Sequence, residues 1–260
     1  MYFRPLTPTQ YHNEGYKPMK IRNSTINANC PVPVFLCLSA NATLNLEGTC
    51  YAEKGISGNR SNIQSGIDAF GKLNFSKIFH DGSYDPVANY DIKEYRQSEV
   101  VRENGFPVEP LLKCILCRSE AEREMLLFLL GQYSVRLYNT YKNKIIYNPK
   151  LHCFYNHGIY VKKVSIIDDV LKVELNDSEL RIKSSETIGI NVRLDVTYWK
   201  NDGTIIDAIS SEKILDYRII RSCNMKIKRE YNAEKIRVKV LFDGNSMYEN
   251  EISLEQIIIF

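Results

Sequence analysis

After Pro149 the chain alternates apolar and polar residues for most of its remaining length, and that period of two leaves few choices of fold. YVKKVSIID, VLKVELN, ELRIKS, INVRLDVTYW, MKIKRE, KIRVKVLF and NEISLEQIII place apolar side chains at every second position. Successive side chains of a strand point to opposite faces, so each segment buries one face and wets the other. NDS, NDG and DGN fall between them as turn signals. At least seven short strands at this spacing predict a β-sandwich or barrel of about 100 residues, with no helix and no internal repeat.

The first part of the chain reads differently. PVPVFLCLS, from Pro31 to Ser39, is a short apolar run between prolines and predicts a buried strand. Leu44, Leu46 and Cys50 predict a helical turn or two ended at Gly48 or Gly55. Residues 56–93 are rich in Gly, Asn, Ser and Asp and predict long functional loops, with an amphipathic segment around Ile63–Leu73. VEPLLKCILC predicts a strand. A capping box, Ser119 to Glu122, opens a helix carried by Met125, Leu126, Leu129, Leu130, Tyr133 and Leu137 to about Tyr141, with Gly131 tolerated inside it. The expected organisation is α+β, with one domain over residues 1–150 and a sandwich-like domain over 151–260, joined near Asn148–Asn156.

Composition sets the class. With 260 residues, 44% hydrophobic and 25% charged, the chain has the make-up of a globular protein with a sizeable core. No apolar run approaches the ~18 residues of a membrane span, and the first residues lack the apolar core of a secretion signal. Seven scattered cysteines predict reduced thiols and a cytoplasmic setting. Residues 1–150 carry 18 basic against 14 acidic side chains and residues 151–260 carry 16 against 17, so an anionic ligand is expected to meet the first part.

One segment in that basic part breaks the apolar pattern. EYRQSEVV, Glu94 to Val101, reads as a strand that sets Arg96, Gln97 and Glu99 beside a hydrophobic run. Positions two apart on a strand share a face, so Gln97 and Glu99 are expected in one cleft. A carboxylate beside an amide suits glycosyl transfer from NAD. The carboxylate accepts a hydrogen bond from the nicotinamide-ribose 2′-hydroxyl and stabilises the ribosyl cation, while the amide orients the acceptor. A solvated Arg–Glu edge is the plainer reading of the same residues.

Tyr95-Arg96-Gln97-Ser98-Glu99-Val100-Val101, followed by Gly105-Phe106-Pro107-Val108-Glu109 and Leu111–Ile115, resembles the active strand and following loop of the DarT family of nucleic-acid ADP-ribosyltransferase toxins. Met1–Thr7 is similar to that family's first strand, and Val32–Cys37 to its second. The resemblance spans roughly residues 1–130. It implies a split β-sheet ADP-ribosyltransferase domain, NAD as substrate, no metal, and a base in DNA or RNA as acceptor. It also implies a toxin–antitoxin or phage-defence setting, with an antitoxin or chaperone as protein partner.

By that resemblance Glu99 is catalytic with Gln97, Arg4 and Thr7 line the NAD site, and Arg96 and Tyr95 position acceptor or strand. The chain departs from the family at Leu6-Thr7, where a His is usual, and at Leu38–Asn41, where an Arg is usual. Ser39 instead completes an Arg4–Ser39–Glu99 set, and Arg60 is a candidate for the missing cation. Protein-directed transfer and a non-catalytic assembly module remain alternatives.

Other constellations carry less. Cys114 and Cys117 lie three apart on a predicted strand and so face opposite ways, which argues against chelation and for buried thiols. Tyr84, Tyr90 and Tyr95 lie near the proposed strand and could stack on nicotinamide or a base, or simply cover a loop-rich core. Lys72, Lys77, Lys93 and Arg102 could meet phosphates or solvent.

Overall fold

Capping and turn residues decide where each element starts and stops. A computed structural model describes residues 1–22, 29–56, 63–85, 87–178 and 187–254, and within these the chain is a mixed α+β protein. In chain order come α1 (Pro8–Asn13), β1 (Val34–Leu38), α2 (Ala40–Leu44), β2 (Thr49–Ala52), β3 (Ile63–Ser65), α3 (Ile67–Gly71) and α4 (Phe75–Ile78). Next are α5 (Ile92–Tyr95), β4 (Glu99–Arg102), α6 (Val108–Leu111), β5 (Leu112–Cys117), α7 (Glu120–Tyr133), α8 (Val135–Tyr141) and β6 (Ile145–Tyr147). Seven strands follow: β7 (Val161–Ile167), β8 (Val170–Leu175), β9 (Gly189–Trp199), β10 (Ile205–Asp216), β11 (Ser222–Lys226), β12 (Lys235–Phe242) and β13 (Asn245–Ser253).

The contacts group the chain into two units that interleave in sequence. One comprises Met1–Asn13, Leu36–Ile115 and His152–Tyr155, the other Glu14–Phe35, Leu116–Leu151 and Asn156–Phe260. This differs from the division expected at residue 150. Helices α7 and α8 and the stretch from Glu14 group with the C-terminal strands. The reason is packing that periodicity does not reveal: α7 lies on β7 and β13, and Tyr16 exchanges both backbone hydrogen bonds with Ile159, at 3.2 and 2.9 Å.

The first unit holds an antiparallel sheet in the order β3-β2-β4. The N-terminal residues extend it. Val100 N donates to Met1 O at 2.7 Å, the N-terminal ammonium donates to Val100 O at 3.0 Å, and Tyr2 bridges Glu99. One face of this sheet carries an aromatic cluster of Phe3, Tyr51, Phe70 and Phe75, with neighbouring ring centres 5.1–6.4 Å apart. Val100 and Ile78 are buried beside it at 1% and 0% exposure. Such aromatic contacts add about 0.5–1.5 kcal/mol per pair beyond the area they bury.

The second unit contains two antiparallel sheets, β10-β9-β12-β13 and β11-β8-β7, whose apolar residues merge into one core. On β9, Ile190, Val192, Leu194, Val196 and Tyr198 are buried and alternate with more exposed neighbours, as the sequence predicts. Asp168-Asp169 and Asp243-Gly244 turn the β7–β8 and β12–β13 hairpins with positive φ throughout, the geometry that matches strand twist. Among the described residues of 161–254, the only helical turn is a short 3-10 piece, Arg229–Tyr231. Strand β5 is the middle of a further sheet, β1-β5-β6.

Two expectations are corrected. The helix predicted from Ser119 to Tyr141 is two helices, because Ser134 adopts extended angles (φ −162°, ψ 116°) and caps α8 by accepting from Leu137 N at 3.3 Å. Gly131 is not the break. The Ser119 cap forms, with Glu122 N donating to its hydroxyl at 3.1 Å, but the Glu122 carboxylate turns to Arg118 instead of closing the box.

That Arg118 is the buried cation of a charge cluster in the second unit. Its side chain is fully buried, donates to Glu122 at 3.1 Å and to Pro31 O at 2.7 Å, lies 4.0 Å from Glu14, and sits 3.9 Å over the Tyr160 ring. Removing a single partner from a buried ion cluster strands the rest without solvent. Arg118→Met is expected to lower stability by about 3–5 kcal/mol in urea unfolding. The double variant Arg118→Met/Glu122→Gln should recover part of that loss.

Candidate active site

The segment predicted as a strand from Glu94 to Val101 is helix, turn and strand in succession. Ile92–Tyr95 is α5, Arg96 closes it with helical angles, and strand β4 begins only at Glu99. Strand alternation therefore does not place Gln97 beside Glu99. The sequence signal was misread because a one-turn helix followed by a tight turn has no periodicity of its own. Ser98 marks the change: it is 1% exposed, and its hydroxyl meets Glu53 O and, at 2.6 Å, Tyr95 O.

A different device brings the two side chains toward one segment. Residues 53–56 leave β2 and run past both. Gly55 N donates to Glu94 O at 3.3 Å, and a Cβ on Gly55 would stand 3.1 Å from Gln97 Cβ. Ile56 N points at the Glu99 carboxylate at 3.5 Å, the long limit of a hydrogen bond. Gln97 itself donates to Lys93 O at 3.2 Å.

Glu99 occupies a defined row of the sheet. Its strand partners are Tyr2 on one side and Ala52 on the other, with Ile63 beyond Ala52. Directly opposed residues share a face, so Tyr2, Glu99, Ala52 and Ile63 line the side away from the Val100–Tyr51 pair and the aromatic cluster. Ala52 presents only a methyl group there and is itself fully buried. Glu99 is half-buried and makes no ion pair among the described residues. Sequence reading had not singled out Ala52 or the Ile56 amide. Only strand pairing shows them.

The other expected residues carry internal duties. The Arg4 side chain is buried. It donates to Pro5 O at 2.9 Å, Ile78 O at 3.2 Å and His80 O at 2.5 Å, and pairs with the exposed Asp81 at 2.5 Å. Thr7 is buried and caps α1, accepting from Gln10 N at 3.2 Å. Ser39 caps α2, with Ala42 N at 3.5 Å. No hydrogen bond joins Arg4, Thr7 or Ser39 to Glu99 among the described residues. Arg60 lies outside the described residues.

Arg96 and Tyr95 hold the turn before β4. Arg96 donates to His80 Nδ1 at 2.8 Å and Gly82 O at 2.6 Å, with its guanidinium 5.0 Å from the Tyr84 ring centre. Arginine only donates, so His80 Nδ1 is the unprotonated nitrogen. The loop from Ile78 to Tyr84 is thus clamped by two arginines, Arg4 and Arg96. The Tyr95 ring has the ammonium groups of Lys54 and Lys77 each 5.1 Å from its centre, and these pair with Glu94 at 2.9 Å and Asp91 at 2.6 Å.

Cysteine contacts were missed as well. Cys37 and Cys114, on β1 and β5, hydrogen-bond through their thiols, with Cys153 nearby; burial first, then these neighbours, push the Cys37 thiol up to about 12. Such thiols stay protonated at neutral pH. Cys117 is buried and pushed up to about 12 by desolvation. Among the described residues no group of three or more His, Cys, Asp or Glu side chains could hold a metal ion. No helix among them is long and apolar enough to cross a membrane.

No family model and no curated protein matches the chain. A solved structure of a Bacteroides fragilis protein named as a candidate beta-galactosidase aligns with 37% of this chain at 15% identity and a TM-score of 0.23. The aligned part spans 15% of that protein, and a likeness this slight supports no argument about fold or activity.

The geometry gives Arg4 a measurable structural duty. Lysine keeps the charge but not the fork that serves two carbonyls and a carboxylate. Arg4→Lys is expected to cost about 1–3 kcal/mol in urea unfolding, the penalty of a buried acceptor left unpaired. Amide exchange across residues 78–84 should quicken while exchange in β9 and β12 stays unchanged.

Proposed function

We propose that the protein is a mono-ADP-ribosyltransferase that moves ADP-ribose from NAD to a base in DNA or RNA, acting as a toxin held in check by a partner protein. The N-terminal strands and the Glu99 segment form, in this reading, the split sheet of an ADP-ribosyltransferase. The observation that carries it is the state of Glu99: a half-buried carboxylate without a cation partner among the described residues, fixed at the head of a strand and flanked by a methyl side chain. The resemblance of residues 95–101 to the active strand of the nucleic-acid-modifying transferases supplies the chemistry.

The bond from ribose C1′ to the nicotinamide nitrogen breaks, and its electron pair leaves with nicotinamide. Glu99 accepts a hydrogen bond from the ribose 2′-hydroxyl and offsets the positive charge that grows at C1′. A nucleophilic atom of the acceptor base bonds to C1′ and gives up a proton. Gln97, beside Gly55, orients that acceptor in this reading.

A second reading has its own observation. Arg4, Thr7 and Ser39 are each engaged within the protein, as would suit a binding module on a transferase scaffold that has lost its activity.

Incubation with labelled NAD and separate pools of DNA, RNA and protein separates the readings. Label on nucleic acid supports the first. Label on protein replaces the acceptor, and no label in any pool supports the binding module. Glu99→Gln should lower transfer by about 10²-fold or more while leaving the circular-dichroism melting curve unchanged.

A further inference from the structure

Strand β10 is the edge of its four-stranded sheet, and among the described residues its outer side has no partner. It is long, running from Ile205 to Asp216, and it exposes large apolar groups, Ile214 at 80% and Ile205 at 56%. At the other edge of the same sheet, β13 packs against α7. A long bare edge with exposed isoleucines invites pairing with another strand.

The sequence of β10 is complementary to itself. Reversed about Ser210, Asp207 meets Lys213 and Ala208 meets Glu212; beyond them the bulge between Ile205 and Asp207 puts Ile205 on the same face as Ile214, these two standing opposite Trp199 and Asn191 of β9. The acid falls on the base twice, and the exposed isoleucines of the two copies share a face at each end. The faces agree too. Asp207 and Lys213 stand opposite Tyr198 and Val192 of β9, so both point to the side of the sheet that carries the core. Lys213 has no ion-pair partner among the described residues. With Ser211 and Leu215 it lines a cleft of about 270 Å³ over Val192 and Leu194.

We propose that β10 is a homodimer edge, on which two copies of the chain pair β10 with β10, antiparallel, about a two-fold axis at Ser210. The interface is isologous, so each contact occurs twice and each sheet continues into that of its partner. An inward-pointing lysine and a bulge, here between Ile205 and Asp207, ordinarily blunt an edge against aggregation. In this register the lysine meets an aspartate instead. Pairings shifted by two or four residues leave it without one, so the same side chain favours this arrangement over its neighbours. Asp207 already accepts from the Tyr231 hydroxyl, and a carboxylate has lone pairs to spare for a second donor.

Sedimentation velocity with light scattering, over a tenfold concentration series of the full chain, tests the proposal. The wild type is expected to approach twice the 30.1 kDa chain mass as concentration rises. Lys213→Asp and Asp207→Lys should each give monomer, and the double variant should restore the dimer. Ile214→Lys, at a side chain 80% exposed and so tolerant of change, should dissociate it without altering the melting temperature. A wild type that stays monomeric, single variants that still dimerise, or a double variant that remains monomeric would each overturn the proposal.

Discussion

Everything near Glu99 depends on β4 being hydrogen-bonded along both of its sides. Residues of β2 pair with it from Thr49–Arg102 to Ala52–Glu99, and the N-terminal residues pair on the other side through Met1, Tyr2 and Phe3. A strand fixed this way cannot slip by one residue without sending Val100 out of the aromatic core and Glu99 into it. The apolar side chains of Phe3, Tyr51 and Val100 therefore hold the carboxylate on the opposite face. A charged residue is kept half-buried by the burial of its neighbours.

The second unit solves a different problem. Its strands make a large apolar core on their own, yet Glu14–Tyr16, Pro31, the start of α7 and residues 156–160 must also be gathered. Arg118 does this with a buried guanidinium that reaches Glu122, Pro31 and Tyr160, while Glu14 accepts from Asn156 N at 2.6 Å. Close backbone approach helps. Gly15 and Gly158 have positive φ, and a Cβ on Gly158 would stand 2.6 Å from Tyr16 O. Only glycine fits there.

The sequence made the C-terminal strands legible because each buries one face of a regular ladder, as β9 does from Ile190 to Tyr198. Their turns were legible through Asp243-Gly244, while Asp168-Asp169 carries the same geometry without glycine. The sequence singles out Glu99, but not its setting. Gln97 and Glu99 lie on either side of a turn, and it is Gly55–Ile56, more than forty residues earlier, that runs past both. Arg4 enters the NAD site through the resemblance alone. The carbonyls of Ile78 and His80, which it serves, are visible only once the chain has folded.

If this account is right, a dinucleotide puts its nicotinamide-side ribose against one carboxyl group at the head of a short strand. A crystal structure of the protein with a carbocyclic, non-cleavable NAD analogue examines that directly. The 2′-hydroxyl should lie within about 2.6–3.2 Å of a Glu99 oxygen, the reach of a catalytic hydrogen bond. An analogue seated elsewhere on the chain, or none bound at millimolar concentration, would contradict the account.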